Sequence, residues 1–169
     1  NDHSPDGEEV LSGYSNASAH LCRWNLTAGL RVENTNLRPH SYIRPGETKN
    51  QNYTDLFPTA RAVYMINPEK GHLLNASYTR RINRPGFSQL NPFRIQLNNY
   101  TYIVGNPDMK PSYMDSFTLT GVLANKYSLS VGYNNTEGAV RQMVVSDPDD
   151  LDIQLYQHRN VDRIGMWFV

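Results

Sequence analysis

The chain has 169 residues, enough for one domain of ordinary size. Its 16 basic and 16 acidic residues cancel, so no charge excess points to a nucleic-acid or membrane-surface partner. The single cysteine, Cys22, excludes an internal disulfide framework, and the 38% hydrophobic content is lower than a core-rich soluble domain normally shows.

Seven main strands can be read in chain order. The first, Glu9 to Ala19, is weakly patterned. The second, Arg23 to Asn34, is the clearest: Trp24, Leu26, Ala28, Leu30 and Val32 fall on one face and Arg23, Asn25, Thr27, Gly29, Arg31 and Glu33 on the other. The third, Pro58 to Ile66, aligns Ala60, Ala62, Tyr64 and Ile66. The fourth, His72 to Ile82, sets Leu74, Ala76 and Tyr78 against Asn75, Ser77, Thr79 and Arg81. The fifth, Met114 to Ala124, sets Phe117, Leu119, Gly121 and Leu123 against Ser116, Thr118 and Thr120. The sixth, Tyr127 to Thr136, sets Tyr127, Leu129, Val131 and Tyr133 against Ser128, Ser130, Gly132 and Asn134. The last runs from Val161 to Val169. Helical periodicity is not convincing anywhere.

The connections alternate in length. Leu21-Cys22, Asn67 to Gly71 and Asn125-Lys126 are short; Thr35 to Phe57, Asn83 to Tyr113 and Glu137 to Asn160 are long. The last of these can itself be an extended hairpin, with Gln142 to Ser146 and Asp152 to Gln157 flanking Asp147-Pro148-Asp149-Asp150. Consecutive hairpin strands run antiparallel, so all the long connections share one end of the sheet. No apolar run approaches the roughly 20 residues of a spanning helix, but a spanning strand needs only about 9–11 residues, every second one apolar. Short turns at one end and long loops at the other are the pattern of an outer-membrane barrel. The expected class is therefore all-β, an antiparallel up-and-down meander from a large transmembrane β-barrel, with short periplasmic turns and long extracellular loops.

The composition of the faces supports lipid on one side and water on the other. The apolar face includes Ala28, Ala60, Ala62, Ala76 and Gly121, which fill a protein core poorly but leave room for acyl chains. Trp24, Tyr64, Tyr78, Tyr127 and Tyr133 lie toward strand ends, where interfacial aromatic girdles belong. Alternation alone also fits a soluble β-sandwich, such as an adhesin or carbohydrate-binding module, with one solvated face. Asn1 to Glu9 lack the order of a signal peptide, and the chain does not start with Met, so residues 1–169 read as one segment excised from a longer protein.

Tyr78-Thr-Arg-Arg-Ile-Asn-Arg-Pro85, then Leu90-Asn-Pro-Phe93, then Val104-Gly-Asn-Pro-Asp-Met-Lys-Pro111 resemble the outer-membrane β-barrel family of TonB-dependent receptors, in the form common in Bacteroidetes-type bacteria. Trp24 to Glu33 resembles the preceding up-strand of that family, and Tyr53 to Pro58 its re-entry into the next strand. The pieces cover most of Trp24 to Tyr133 in the family's order and spacing. Ser112 departs from the pattern, which has an acidic residue there, and the match loosens from Glu137 onward. The resemblance implies a 22-strand barrel in the bacterial outer membrane, contacting lipid. It also implies an N-terminal plug domain, a periplasmic energy-coupling protein, and a small-molecule or oligomeric nutrient as cargo. The expected mechanism is capture by the long loops, plug movement and passage through the lumen, with no covalent chemistry, no enzyme activity and no cofactor.

Ligand contact is expected from the extracellular loop residues Arg84, Tyr100, Tyr102 and Asn106. Tyrosine rings and amides stack on and hydrogen-bond to sugars and siderophores. The competing reading is structural: Gly105-Asn106-Pro107-Asp108 makes a tight turn and the tyrosines anchor the loop. Arg80, Arg81 and Arg84 form a basic cluster that reads either as an anion or lipopolysaccharide contact or as salt-bridge partners. Asp147, Asp149, Asp150 and Asp152 lack the glycine and terminal glutamate of a calcium loop and read as a solvated acidic turn. His3, His20, His40, His72 and His158 show no metal-ligand spacing.

Overall fold

The computed structural model describes residues 7–38, 51–90, 92–147 and 150–169. Among them nine strands and one short helix follow in chain order: β1 (Gly7–Leu21), β2 (Trp24–Arg38), β3 (Gln51–Asn67), β4 (His72–Asn83), α1 (Phe87–Leu90), β5 (Arg94–Asn98), β6 (Thr101–Val104), β7 (Ser112–Leu123), β8 (Tyr127–Ser146) and β9 (Gln154–Phe168). The sheet order is β1-β2-β3-β4-β7-β8-β9-β6-β5. The seven expected strands are all present. β5 and β6 were not anticipated and lie within the long connection after β4. The chain divides into two compact units, residues 1–79 with 120–128 and residues 80–119 with 129–169.

In the first unit the register carries the apolar pattern from strand to strand. Leu26 lies opposite Ala19 and Ala62, Ala28 opposite Ala17 and Ala60, and Val32 opposite Leu56, while Ala62 and Tyr64 face Ala76 and Leu74. Directly opposed residues point to the same side, so this is one continuous apolar face. Trp24 and Tyr64 meet on it with ring centroids 4.7 Å apart. At the other end Asn34 donates to Asn52 Oδ1 and Thr54 Oγ1, both at 3.0 Å, which closes the apolar band with amide and hydroxyl groups. From Trp24 to Val32 the band has the length of a membrane crossing, about 9–11 residues.

The opposite face is polar and internally bonded. His20 Nδ1 lies 2.6 Å from Asn25 Oδ1, Arg61 Nε donates to Asn75 Oδ1 at 2.9 Å, and Arg31 pairs with Glu33 at 3.2 Å while lying 5.0 Å from the Phe57 ring centroid.

The short turns of this unit interlock. Cys22 adopts φ 50° in the tight β1–β2 turn, and Gly71 adopts φ 64° just before β4. The Asn125 side chain lies where a Cβ on Gly71 would stand, Asn125 N donates to Gly71 O at 3.2 Å, and Ala124 N donates to His72 Nδ1 at 3.1 Å. Gly71→Ala combines a left-handed backbone with a steric overlap, at about 1–2 kcal/mol for the backbone term alone. The expected outcome is a lower unfolding midpoint in lipid, whereas Gly13→Ala, with open space around the added methyl, leaves it nearly unchanged.

In the second unit Ser116 Oγ donates to Asn134 Oδ1 at 2.6 Å on the polar face. Tyr133 and Trp167, opposite each other on β8 and β9, meet at 4.8 Å on the apolar face. The Tyr133 ring covers Gly165, and on the other side the Phe168 ring covers Gly132. Both contacts give a strand glycine the packing it cannot supply itself.

The apolar faces are not buried. Leu30 is 44% exposed, Phe117 51% and Leu129 64%, while the buried hydrophobic residues among those described are only Phe57, Met109, Ala139 and Leu155. A soluble sandwich would bury these faces against each other, at roughly 1.5–3 kcal/mol per large side chain. That alternative does not hold.

Several strands outrun their sequence pattern. β3 starts at Gln51, not Pro58, and β8 and β9 continue to Ser146 and from Gln154, pairing as the extended hairpin suggested. Beyond the membrane neither face meets hydrocarbon, so alternation fades while the backbone ladder continues. The expected Thr35 to Phe57 loop therefore shortens at both ends, and its residues 39–50 lie outside the described residues.

Candidate functional site

The β4–β7 connection holds all four candidate contacts, and most of it is folded against its own unit. β5 and β6 form a hairpin, and β6 joins the edge of β9 in parallel, Thr101 opposite Gln154 through Val104 opposite Gln157. The chain then crosses back toward β7, held by amide side chains. Gln157 Nε2 donates to Gly105 O at 3.5 Å, and Asn106 Nδ2 donates to His158 O at 3.2 Å. Asn160 accepts from Lys110 N at 2.9 Å and donates to Lys110 O at 2.8 Å and Gly138 O at 2.7 Å. Met109, at the centre of the crossing, is buried.

Two further ties fix the hairpin. Arg94 forms an ion pair with Asp147, which is 1% exposed, and Gln154 N donates to Tyr100 O at 2.8 Å. The acidic turn is thus organised by a cation from the neighbouring loop. Asp150 Oδ1 accepts from Asp152 N at 3.1 Å, an ordinary Asx turn, and Pro148 and Asp149 lie outside the described residues.

The four candidates divide by surroundings. Asn106 is spent on structure: besides His158 O, its Oδ1 accepts from Asp108 N at 3.1 Å and its backbone N donates to Gln89 O at 2.6 Å. Arg84, directly after β4, is half-buried and engaged with its surroundings. Tyr102 is half-buried between Gln96 of β5 and Leu155 of β9. Tyr100, at the hairpin turn, is 65% exposed and is the candidate most open to a ligand. Leu151, in the β8–β9 turn, is 80% exposed.

Among the basic cluster, Arg80 lies 3.4 Å from the Asp115 carboxylate and 5.3 Å from the Tyr113 ring centroid. Its charge is answered locally, as the salt-bridge reading expects. Asn160, Gln157 and the Arg94–Asp147 pair were not anticipated. Each lies far along the chain from its partner in a polar stretch without periodicity, so no local signal marks it.

An exposed apolar band, a hydrogen-bonded polar face, short turns and a long folded loop are the parts of a membrane wall. The model of the outer membrane protein β-barrel family matches residues 7–166. The chain belongs to that family. This barrel protein resides in the bacterial outer membrane, with its apolar face toward lipid.

Among solved structures, the outer-membrane wall is similar to the siderophore receptor PirA from Pseudomonas aeruginosa, with a TM-score of 0.57 and 14% identity over 95% of this chain. The chain spans 38% of the length of that receptor. No curated protein matches the sequence.

Proposed function

We propose that this wall belongs to a TonB-dependent receptor that takes up a nutrient actively across the outer membrane. The cargo class is a siderophore, vitamin, glycan or peptide. A plug domain and a periplasmic energy-coupling protein complete the device, and no covalent chemistry is involved. The observation that carries this reading is the likeness to a siderophore receptor over 95% of the chain, together with the folded β4–β7 loop at the rim. A loop clamped along β9 presents a fixed surface to a ligand and keeps the entropy cost of capture low.

Within that surface Tyr100 and Tyr102 contact the ligand, while Arg84 and Asn106 act by holding the loop in shape. The test uses the complete receptor in cells. Uptake of a candidate nutrient stops when the energy-coupling protein is deleted or the proton-motive force is collapsed; uptake that continues under both conditions points to a passive pore and removes the reading. Tyr100→Ala lowers ligand affinity by about tenfold, the loss of one stacked aromatic contact of ~1–1.5 kcal/mol, with barrel stability unchanged. Equal affinity in the variant and the parent takes Tyr100 out of the site.

A further inference from the structure

On β9, Trp167, Arg163 and Arg159 follow at every fourth position, so regular alternation puts them on one face. It is the lipid-side face, because Trp167 meets Tyr133 there, in line with Val131 and Leu129 of β8. Asn160, on the other face, holds the crossing loop. On the arginine side Gln157 reaches Gly105 O and accepts from Arg159 Nε at 3.0 Å, a neutral partner, and Arg141, Arg159 and Arg163 are all exposed. In the ladder Arg163 lies opposite Glu137, and Arg141 lies directly opposite Arg159. Like charges directly opposed across two strands cost free energy. Strand pairing gains nothing from that juxtaposition, whereas an anion bound outside the wall does.

The height of these residues suits such an anion. β8 enters the membrane after a short turn at Tyr127, and a crossing of about 9–11 residues brings it out near Asn135 to Glu137. Arg163 stands at that boundary, opposite Glu137. Arg141 and Arg159 stand four residues further along their strands, roughly 13 Å at ~3.3 Å per residue, or roughly 10 Å along the membrane normal at a tilt near 40°. The headgroup layer is about 5–7 Å thick on each side, and arginine stems bend several ångströms toward it. Arg80, by contrast, already answers to Asp115.

We propose that Arg141, Arg159 and Arg163 form a binding surface for the phosphorylated lipid headgroups of the outer leaflet. Guanidinium groups take phosphate oxygens two at a time, and the pairing offsets the Arg141–Arg159 repulsion. The inference rests on the membrane placement of this wall and not on active uptake, so a barrel with no transport activity leaves it standing.

The test uses the complete barrel in phosphatidylcholine vesicles containing lipid A in its phosphorylated or its dephosphorylated form. The protein is extracted with its surrounding lipid in polymer-bounded discs, and the lipid is counted by mass spectrometry. Three arginines less one glutamate leave two net charges at about fivefold each, so the parent enriches the phosphorylated form by roughly tenfold to thirtyfold. Arg141→Gln, Arg159→Gln and Arg163→Gln together abolish the enrichment in a barrel whose heat-shifted electrophoretic mobility shows it folded. Should the triple variant not fold, Arg141→Gln alone serves, with a partial loss expected. Arg80→Gln leaves the enrichment in place. Equal enrichment by parent and variant, equal retention of the dephosphorylated lipid, or a loss on Arg80→Gln as large as that of the triple variant each overturn the proposal.

Discussion

Ala62→Lys lowers the stability of the folded wall by about 1–3 kcal/mol, and its neighbour Val63→Lys by less than about 1 kcal/mol. Hydrophobicity alone ranks them the other way, since valine is the more apolar residue lost. The order follows from the face. Ala62 lies between Leu26 and Ala76 in the apolar band, so a charge there is placed in hydrocarbon. Val63 lies between Asn25 and Asn75, on the side where Arg61 already bonds to Asn75. Reversible denaturant unfolding of the complete barrel in lipid bilayers measures both changes. A larger cost at position 63 would mean that the two faces are assigned the wrong way round.

The same distinction between faces decides what could be read before the structure. β2, β4, β7 and the lower part of β8 meet lipid on one side and water on the other, so each carries two chemistries in strict alternation. Residues such as Asn52 and Thr54 of β3 belong to strand beyond the membrane and are exposed to water, and Gln154 to His158 of β9 lie beyond it against the folded loop. Only the backbone ladder keeps them extended, and the side chains do not record it. β5 does alternate, with Ile95 and Leu97 set between Arg94, Gln96 and Asn98, but it is short, and its hairpin partner β6 is placed by β9, far along the chain.

The site was legible to a similar extent. Gly105-Asn106-Pro107-Asp108 announces a turn because asparagine bonds its own backbone two residues on, and Asn106 Oδ1 accepts from Asp108 N as that chemistry requires. Its second bond, to His158 O, depends on where β9 lies and leaves no local trace. The arginines of β4 were legible as a cluster because they are adjacent in sequence. Arg141 and Arg159 were not, because their juxtaposition exists only in the β8–β9 register.

Asn160→Ala releases the crossing segment, and Asn160→Asp releases it at least as fully. The native side chain accepts from one backbone group and donates to two, so it acts as a short piece of strand laid against Lys110. Each such bond contributes about 0.5–1.5 kcal/mol net, and a half-buried backbone group left without its partner costs more, which puts the alanine variant near 2–4 kcal/mol for local opening. Aspartate keeps the acceptor for Lys110 N but turns both donor contacts into a carboxylate facing carbonyl oxygens. A role limited to filling space predicts the opposite, since aspartate matches asparagine in shape and alanine does not. Amide hydrogen exchange separates the two. Release by both variants shows as faster exchange at Met109 and Lys110, with the ladder between Leu129 and Tyr133 unchanged. Protection retained in the aspartate variant would show that Lys110 N alone holds the loop and that the donor pair contributes nothing.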